Sequence, residues 1–427
     1  MELMKQIDPR LEAEEMTWDA EGRWWSSIYN DYASVTAGMD KPDEAVLVDC
    51  TLREGEETPN TYMPLKTKIQ LAHDIAEVGF RELEIGYCGV IDEHYQLMKE
   101  LKKENLPVKF VSHTRAYGQE DEWKREIDRN LEAGVDILSM VCMCSEVATA
   151  TTPWLPKEKV AQRVVDCVSY AKEQGAIVSL SFADQGRTRL DHIVNIFRAA
   201  VDAGVDRLLV TDGIGALSPE VVAFLTRLMR DIGGSRAAVA THLHDGLGLA
   251  TANTLRAVAC GAKYVDVVPL GLGDGAGLAA AEEVAFGLES LYKIKTNLRL
   301  ELLPALCEKV AAAIGVKVPD NKAIVGKNQF LHTIDAHIAC GLRGAWYAWE
   351  HLVPEKIGRE REIQFGYAKL RRGKSGALYA LAQTMGYNPE LRQMDEILER
   401  VAQIHASRPF ATTEEVREII LYVMQKI

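Results

Sequence analysis

The feature that most constrains this chain is an alternation. From residue 45 onward, short apolar runs of strand length trade places with longer runs of helical period. The apolar runs are AVLVDC, ELEIGY, VKFVSH, VDILSMVCMC, AIVSLSF, DRLLVTD, AAVATHLH and YVDVVPLG. Between them, stretches such as KTKIQLAHDIAEVGF and DHIVNIFRAAVDAG repeat apolar residues every three or four positions, the helical spacing. Several end in glycine (EVGF, EAGV, EQGA, DAGV, ACGA), the residue that closes a helix in the left-handed conformation before a strand. Eight such strand–helix units over roughly 250 residues predict a closed (β/α)8 TIM barrel. A doubly wound open sheet is the alternative. It needs a reversal of strand order at a switch point, and nothing in the sequence marks one.

The alternation divides the 427 residues. Residues 1–44 are an N-terminal extension, polar apart from Trp24, Trp25, Tyr29 and Tyr32; the expectation is a short helix on the surface of the main domain, with a subunit contact as the alternative. Residues 45–296 form the barrel. After Lys295 the strand signals stop, and 297–427 read as helical, with apolar faces in LELLPALCEKVAAAIG and EEVREIILYVMQKI that need a partner. A net charge of −13 argues against nucleic acid or an anionic membrane as partner. No apolar run approaches the ~20 residues of a membrane span. The acidic start MELMKQIDPRLEAEEM has no apolar signal core. Eight scattered cysteines without a C-x-x-C pair fit a reducing, cytoplasmic setting.

Barrels keep their reactive groups at the C-terminal ends of the strands. Those ends carry Asp49, Arg53, Glu54 and Glu57 (strand one), Glu84 (two), His113 and Arg115 (three), Asp184 and Arg187 (five), Thr211 and Asp212 (six), and His242 and His244 (seven). Strand eight runs into the glycine-rich GLGDGAG, Gly271 to Gly277. His242 and His244 sit two apart in a strand, so both imidazoles project from one face. Two imidazoles with the carboxylate of Glu54 suit a divalent ion with open positions; the same set also suits iron and oxygen chemistry. Arg53 adds a fixed positive charge, which together with a cation stabilises a developing oxyanion or enolate. Glycines such as Gly271 and Gly273 let backbone N–H groups approach an anion closely, although a tight turn explains the same composition.

TLREGEE, HLHDGLG and GLGDGAG, in this order and spacing, resemble the DRE-TIM metallolyases, a family that includes 2-isopropylmalate, homocitrate and citramalate synthases and HMG-CoA lyase. VPDNKAIVG, FLHTIDAH, WEHLVPEKIG and GKSGALYAL resemble the synthases' post-barrel region, which HMG-CoA lyase lacks. The resemblance spans roughly residues 45–390. It implies Glu54, His242 and His244 as ligands of Mg, Mn or Zn, and Arg53 as the group that polarises the oxygen gaining charge. Glu84, His113 and Arg187 match pocket positions, with Glu84 counted among the catalytic groups, and Gly271 and Gly273 fall in the cofactor-binding loop. His337 matches a general acid/base that the helical region places over the active site, usually from the partner subunit. The implied reaction joins acetyl-CoA, as co-substrate, to a 2-oxo acid in a homodimer with exchanged C-terminal lid and dimerisation regions.

The pocket departs from the family pattern. Leu278 replaces an asparagine that often completes the metal shell, Glu57 a glutamine, Gly213 a threonine, Ala183 a glutamate and Leu342 a tyrosine. Glu57 favours an acceptor with a polar or cationic group, and Gly213 leaves room for a larger one. HDG after the first histidine is slightly closer to the lyases, so cleavage of a carbon–carbon bond is the alternative reaction. A catalytically silent homologue serving in assembly is the third reading, and it predicts no bound metal.

Overall fold

The computed structural model describes residues 19–426 except positions 21, 120, 367 and 368. The N-terminal extension therefore falls partly outside the described residues. The described residues divide into two compact units, the first holding 29–318 and the second 19–28 and 319–426.

The first unit is a closed barrel of eight parallel strands. They are β1 (Val46–Asp49), β2 (Glu82–Glu84), β3 (Lys109–Arg115), β4 (Ile137–Met143), β5 (Ile177–Ala183), β6 (Arg207–Asp212), β7 (Ala238–Leu243) and β8 (Tyr264–Val267). Each pairs with the next in sequence, and β8 returns to β1 with Tyr264 opposite Val46 and Val267 opposite Asp49. The open-sheet alternative is thereby excluded. Helices fill the gaps between strands, as their periodicity demands. In α1 (Leu65–Val78) the buried positions Leu71, Ala72, Ile75 and Val78 form one stripe, and the helix stops at Gly79, where φ is +106°. In α2 (Glu122–Ala133) Gly134 plays the same part at φ +96°.

The barrel interior holds a buried ion pair. Arg207 on β6 donates two hydrogen bonds to the Glu82 carboxylate on β2 (2.6 and 2.7 Å) and lies 3.5 Å over the ring of Tyr264 on β8. All charges of this pair are buried. Full pairing is what makes such burial tolerable. Above this floor, Glu84, Asp266 and His242 continue the inward-facing rows toward the C-terminal ends of the strands.

The second unit packs helices Asp335–Leu342, Ala377–Thr384, Leu391–Ile404 and Thr413–Met424 around Ile338, Phe365, Leu381, Ile397, Val401 and Ile420. Thr412 and Glu415 form a capping box that starts its last helix. Among its described residues a three-stranded sheet is formed by Leu331–His332, Glu362–Phe365 and Ala411–Thr412. They stand outside the regular strand–helix alternation, and two of them are only two residues long, so the apolar pattern that marks the barrel strands does not pick them out. The aromatic cluster corrects an expectation in a similar way. Trp24–Trp25 form a strand paired with Asp19–Ala20, and Trp25 N–H donates to the His351 carbonyl at 2.7 Å. Tyr29 belongs to a 3-10 turn, and the helix that follows, Ala33–Thr36, is only four residues long.

Candidate active site

The site begins where β1 ends. The Asp49 carboxylate accepts the Thr51 N–H (2.9 Å) and the Thr51 hydroxyl (3.1 Å), which turns the chain inward. Burial pushes the Asp49 carboxyl up to about 7, against the two Thr51 bonds. The following turn is clamped from outside. Glu56 takes an ion pair from buried Lys68 of α1 at 2.6 Å and accepts the Met63 N–H at 2.9 Å. Arg53 and Glu54 are thereby held facing the barrel interior, 5% and 1% exposed.

Glu54, His242 and His244 converge. Their ligand atoms all lie within 4.8 Å of one another. His242 Nε2 is 3.3 Å from His244 Nε2 and 3.6 Å from Glu54 Oε2, and His244 Nε2 is 3.9 Å from Glu54 Oε1. Two ligands at about 2.1 Å from one ion and roughly at right angles or tetrahedral lie about 3.0–3.4 Å apart. The three side chains need only small adjustments to enclose a divalent cation. The other nitrogen of His242, Nδ1, hydrogen-bonds Asp266 Oδ2 on β8 at 2.9 Å. That bond leaves Nε2 as the ring's lone-pair nitrogen when Nδ1 is the donor, the tautomer a metal requires. Burial opposes charge on His242, but Asp266 and Glu54 outweigh it and raise the imidazole to about 9. Burial and the neighbouring His242 lower His244. Burial would raise Glu54, yet Arg53 and the two histidines keep it well below the usual carboxylate range. An environment that favours a proton between these groups equally favours a cation.

Arg53 is the hub of the remaining groups. Its Nε and Nη2 donate to Glu84 Oε2 (3.0 and 2.9 Å), and Nη1 donates to Glu54 Oε2 at 2.5 Å. Glu84 Oε1 bonds His113 Nδ1 at 2.5 Å. Glu57 Oε2 stands 3.5 Å from Arg53 Nη1, and Tyr87 Oη donates to Glu57 Oε1 at 3.4 Å. The structure thus brings together Arg53, Glu54, Glu57, Glu84, His113, His242 and His244, drawn from four strand ends.

The glycine-rich loop has an anion of its own. The Asp274 N–H donates to Glu54 Oε1 at 2.9 Å, and a Cβ on Gly273 would lie 2.8 Å from the same oxygen. Gly271 stands so close to the loop's return that a Cβ there would meet the Leu278 carbonyl at 2.9 Å. Leu278 bridges His244 through the backbone, and its side chain joins an apolar cluster with Val48, Val111 and Val268.

Three sequence candidates are not among these contacts. Gly213 follows β6, and a Cβ built on it would meet nothing within 4 Å. Arg187 is exposed, pairs with Asp184 at 2.6 Å and lines a cleft of about 580 Å3 with Lys157, Arg189 and His192. His337 belongs to the second unit, where its ring stacks on Trp349 at 3.8 Å and 19°. Burial and His332 lower its imidazole below the ordinary value. Sequence reasoning missed Asp266, Tyr87, Glu56 and Lys68. Asp266 had a usable signal: it alternates with Tyr264 and so faces inward beside His242.

Comparison with known proteins adds the following. The sequence model of the family described as HMGL-like matches residues 44–310. A homocitrate synthase from Methanopyrus kandleri is 30% identical over 387 residues, 91% of this chain and 94% of its own. A 2-isopropylmalate synthase from Methanocaldococcus jannaschii is 31% identical, over 90% of this chain and 73% of its own. Among solved structures, the hydroxymethylglutaryl-CoA lyase of Pseudomonas aeruginosa aligns with a TM-score of 0.57 at 18% identity, covering 68% of this chain and 98% of that one. At that identity the likeness is one of fold.

Proposed function

The chain belongs to the HMGL-like family, and from that premise we propose that it is a metal-dependent enzyme that joins acetyl-CoA to a 2-oxo acid, in the manner of homocitrate and 2-isopropylmalate synthases. One observation carries the choice of condensation over cleavage: the match to a homocitrate synthase runs over 91% of this chain, well past the barrel. The lyase fold aligns with only 68%.

Glu54, His242 and His244 would hold the metal, with Mg, Mn and Zn as candidates. When bound there, a divalent cation supplies electrophilic polarisation of the acceptor's carbonyl and a fixed charge for its carboxylate. Asp266 orients His242 and the Asp274 N–H orients Glu54. Arg53 stands beside the carbonyl oxygen as that oxygen gains charge from the new carbon–carbon bond. Glu84 holds the guanidinium in place with two hydrogen bonds and takes a third from His113. His337, kept neutral by burial and by His332, accepts the proton from the acetyl methyl group. Hydrolysis of the thioester then releases free CoA. His337 would act in a homodimer with exchanged C-terminal regions, in the cytoplasm; Arg187, His113, Glu57 and Gly213 would border the acceptor, and Gly271 and Gly273 the cofactor side.

Cleavage of a hydroxyacyl thioester is the second reading, favoured by the lyase-like fold. A free-thiol assay with Mg2+, Mn2+ or Zn2+ separates the two. Condensation predicts thiol release that requires both acetyl-CoA and an oxo acid. Cleavage of 3-hydroxy-3-methylglutaryl-CoA into acetyl-CoA and acetoacetate without release of free thiol, with no oxo acid accepted, rejects it.

A further inference from the structure

We propose that the acceptor is a 2-oxo acid whose far end carries a hydrogen-bond donor, received by Glu57 and Tyr87, and that a second carboxylate at that end is excluded. This rests on reading the site as an acetyl-CoA condensing centre.

The charge balance comes first. Three carboxylates, Glu54, Glu57 and Glu84, meet the single guanidinium of Arg53. Glu54 and Glu84 are buried and take its three hydrogen bonds. Glu57 stands farther off, at 3.5 Å, and is 38% exposed. Among the described residues no other cation pairs with Glu57. Its charge therefore faces the mouth of the barrel with little compensation. A terminal carboxylate on the acceptor would meet like charge there, whereas an ammonium, guanidinium, amide or hydroxyl group would find an acceptor.

Tyr87 makes this corner a built one. Its backbone N–H donates to His94 Nδ1 at 2.9 Å, and Gly86 lies so near that a Cβ there would sit 2.3 Å from the same nitrogen. Its ring meets that of His113 edge-on at 5.2 Å. The Tyr87 hydroxyl, at 3.4 Å from Glu57, is within reach of the same incoming group.

A second observation comes from the other flank. Thr211 on β6 pairs in register with His242 and therefore shares its inward face. Its N–H is taken by Gln185 Oε1 at 2.8 Å. Its hydroxyl is buried, on a residue only 7% exposed, and has no hydrogen-bond partner among the described residues. A buried hydroxyl without a partner is costly, and a bound ligand removes the cost. Gly213, two residues on, would meet nothing within 4 Å of an added Cβ. Around the ring of strands the order is Thr211 (β6), His242 and His244 (β7), then Arg53, Glu54 and Glu57 after β1. Carboxylate, carbonyl and side chain follow one another along a 2-oxo acid in the same way. Thr211 would take the carboxylate, Arg53 the carbonyl oxygen and Glu57 with Tyr87 the far end.

The test uses the full chain with Mn2+. Calorimetric binding of each acceptor without acetyl-CoA is measured beside thiol release with it. The panel is 2-oxoisovalerate, 2-oxoglutarate, 2-oxoglutaramate and 2-oxo-5-guanidinopentanoate. At least one of the last two is expected to bind and turn over about 10-fold or more better than 2-oxoglutarate. Glu57→Gln should shrink that preference by about 10-fold, and Thr211→Val should weaken every acceptor alike without changing the ratio. Preference of the native protein for 2-oxoglutarate or 2-oxoisovalerate, with thiol released, overturns the proposal and leaves the condensing reading intact. So does a Glu57→Gln variant with unchanged preference. No thiol from any oxo acid by a protein that binds Mn2+ rejects the condensing reading, and the acceptor proposal with it.

Discussion

Asp266 Oδ2 lies 2.9 Å from Nδ1 of His242, on the side of the ring away from Glu54. The pair is made by neighbouring strands, β8 and β7, and it fixes which nitrogen of His242 faces the other two ligands. A carboxylate behind a ligating histidine sets its tautomer and orientation.

Asp266→Ala is therefore expected to lower metal affinity by about 10- to 100-fold while leaving the barrel folded. Titration with Mn2+ followed by calorimetry, with circular dichroism as the fold control, checks it. Unchanged affinity would show that His242 needs no such brace.

Gly273 leaves room for Glu54. A Cβ at this position would lie 2.8 Å from Glu54 Oε1, and that carboxylate is already held by Arg53 and the Asp274 N–H. Gly273→Ala should cost about 1–3 kcal/mol of stability through overpacking and should also weaken metal binding, because Glu54 must move. Urea unfolding and metal titration of the same preparation test both parts. A variant with native affinity would contradict the second.

Asp49 gives a stability change with pH. Its folded value of about 7 lies above the ordinary aspartate value of 3.8, so the folded state binds the proton more tightly than the unfolded chain does. The stability it contributes is full below about pH 4 and is lost as pH rises through about 7. Asp49→Asn stays neutral throughout. The difference in unfolding free energy between variant and native protein should shift in the variant's favour from pH 4 to pH 7, by up to roughly 4 kcal/mol. A difference that is flat across this range would mean that Asp49 ionises normally.

Arg207→Met should be strongly destabilising, by about 3–5 kcal/mol, because it strands the buried Glu82 carboxylate. The double variant Glu82→Leu with Arg207→Met should recover much of that loss. A double-mutant cycle by urea unfolding measures the coupling, and additive losses would refute it.

Much of the fold was legible in the sequence. Alternating apolar runs with helical stretches, closed by residues such as Gly79 and Gly134, specified eight βα units because strand and helix periods are properties of the local chain. The strand-end rule then selected Arg53, Glu54, Glu84, His113, His242 and His244, all of which meet at one end of the barrel. Harder to see were groups whose role depends on a distant neighbour. Lys68 looks like an ordinary helix-surface lysine until Glu56 is found 2.6 Å from it. Tyr87 looks like one more aromatic after a strand until Glu57 and His113 stand beside it.

The sequence by itself determined the parallel barrel, the end at which its reactive groups gather and the types of side chain found there. Only the tertiary structure decided which of them touch. Glu54 and His242 are 188 positions apart in the chain, and their 3.6 Å approach exists because β8 closes onto β1 and carries β7 with it. Closure likewise set Asp266 behind His242, directed the loop's N–H onto Glu54 and left the Thr211 hydroxyl without a hydrogen-bond partner among the described residues. Local periodicity fixes the direction in which a side chain points, but only the packed ring fixes what lies at the other end of it.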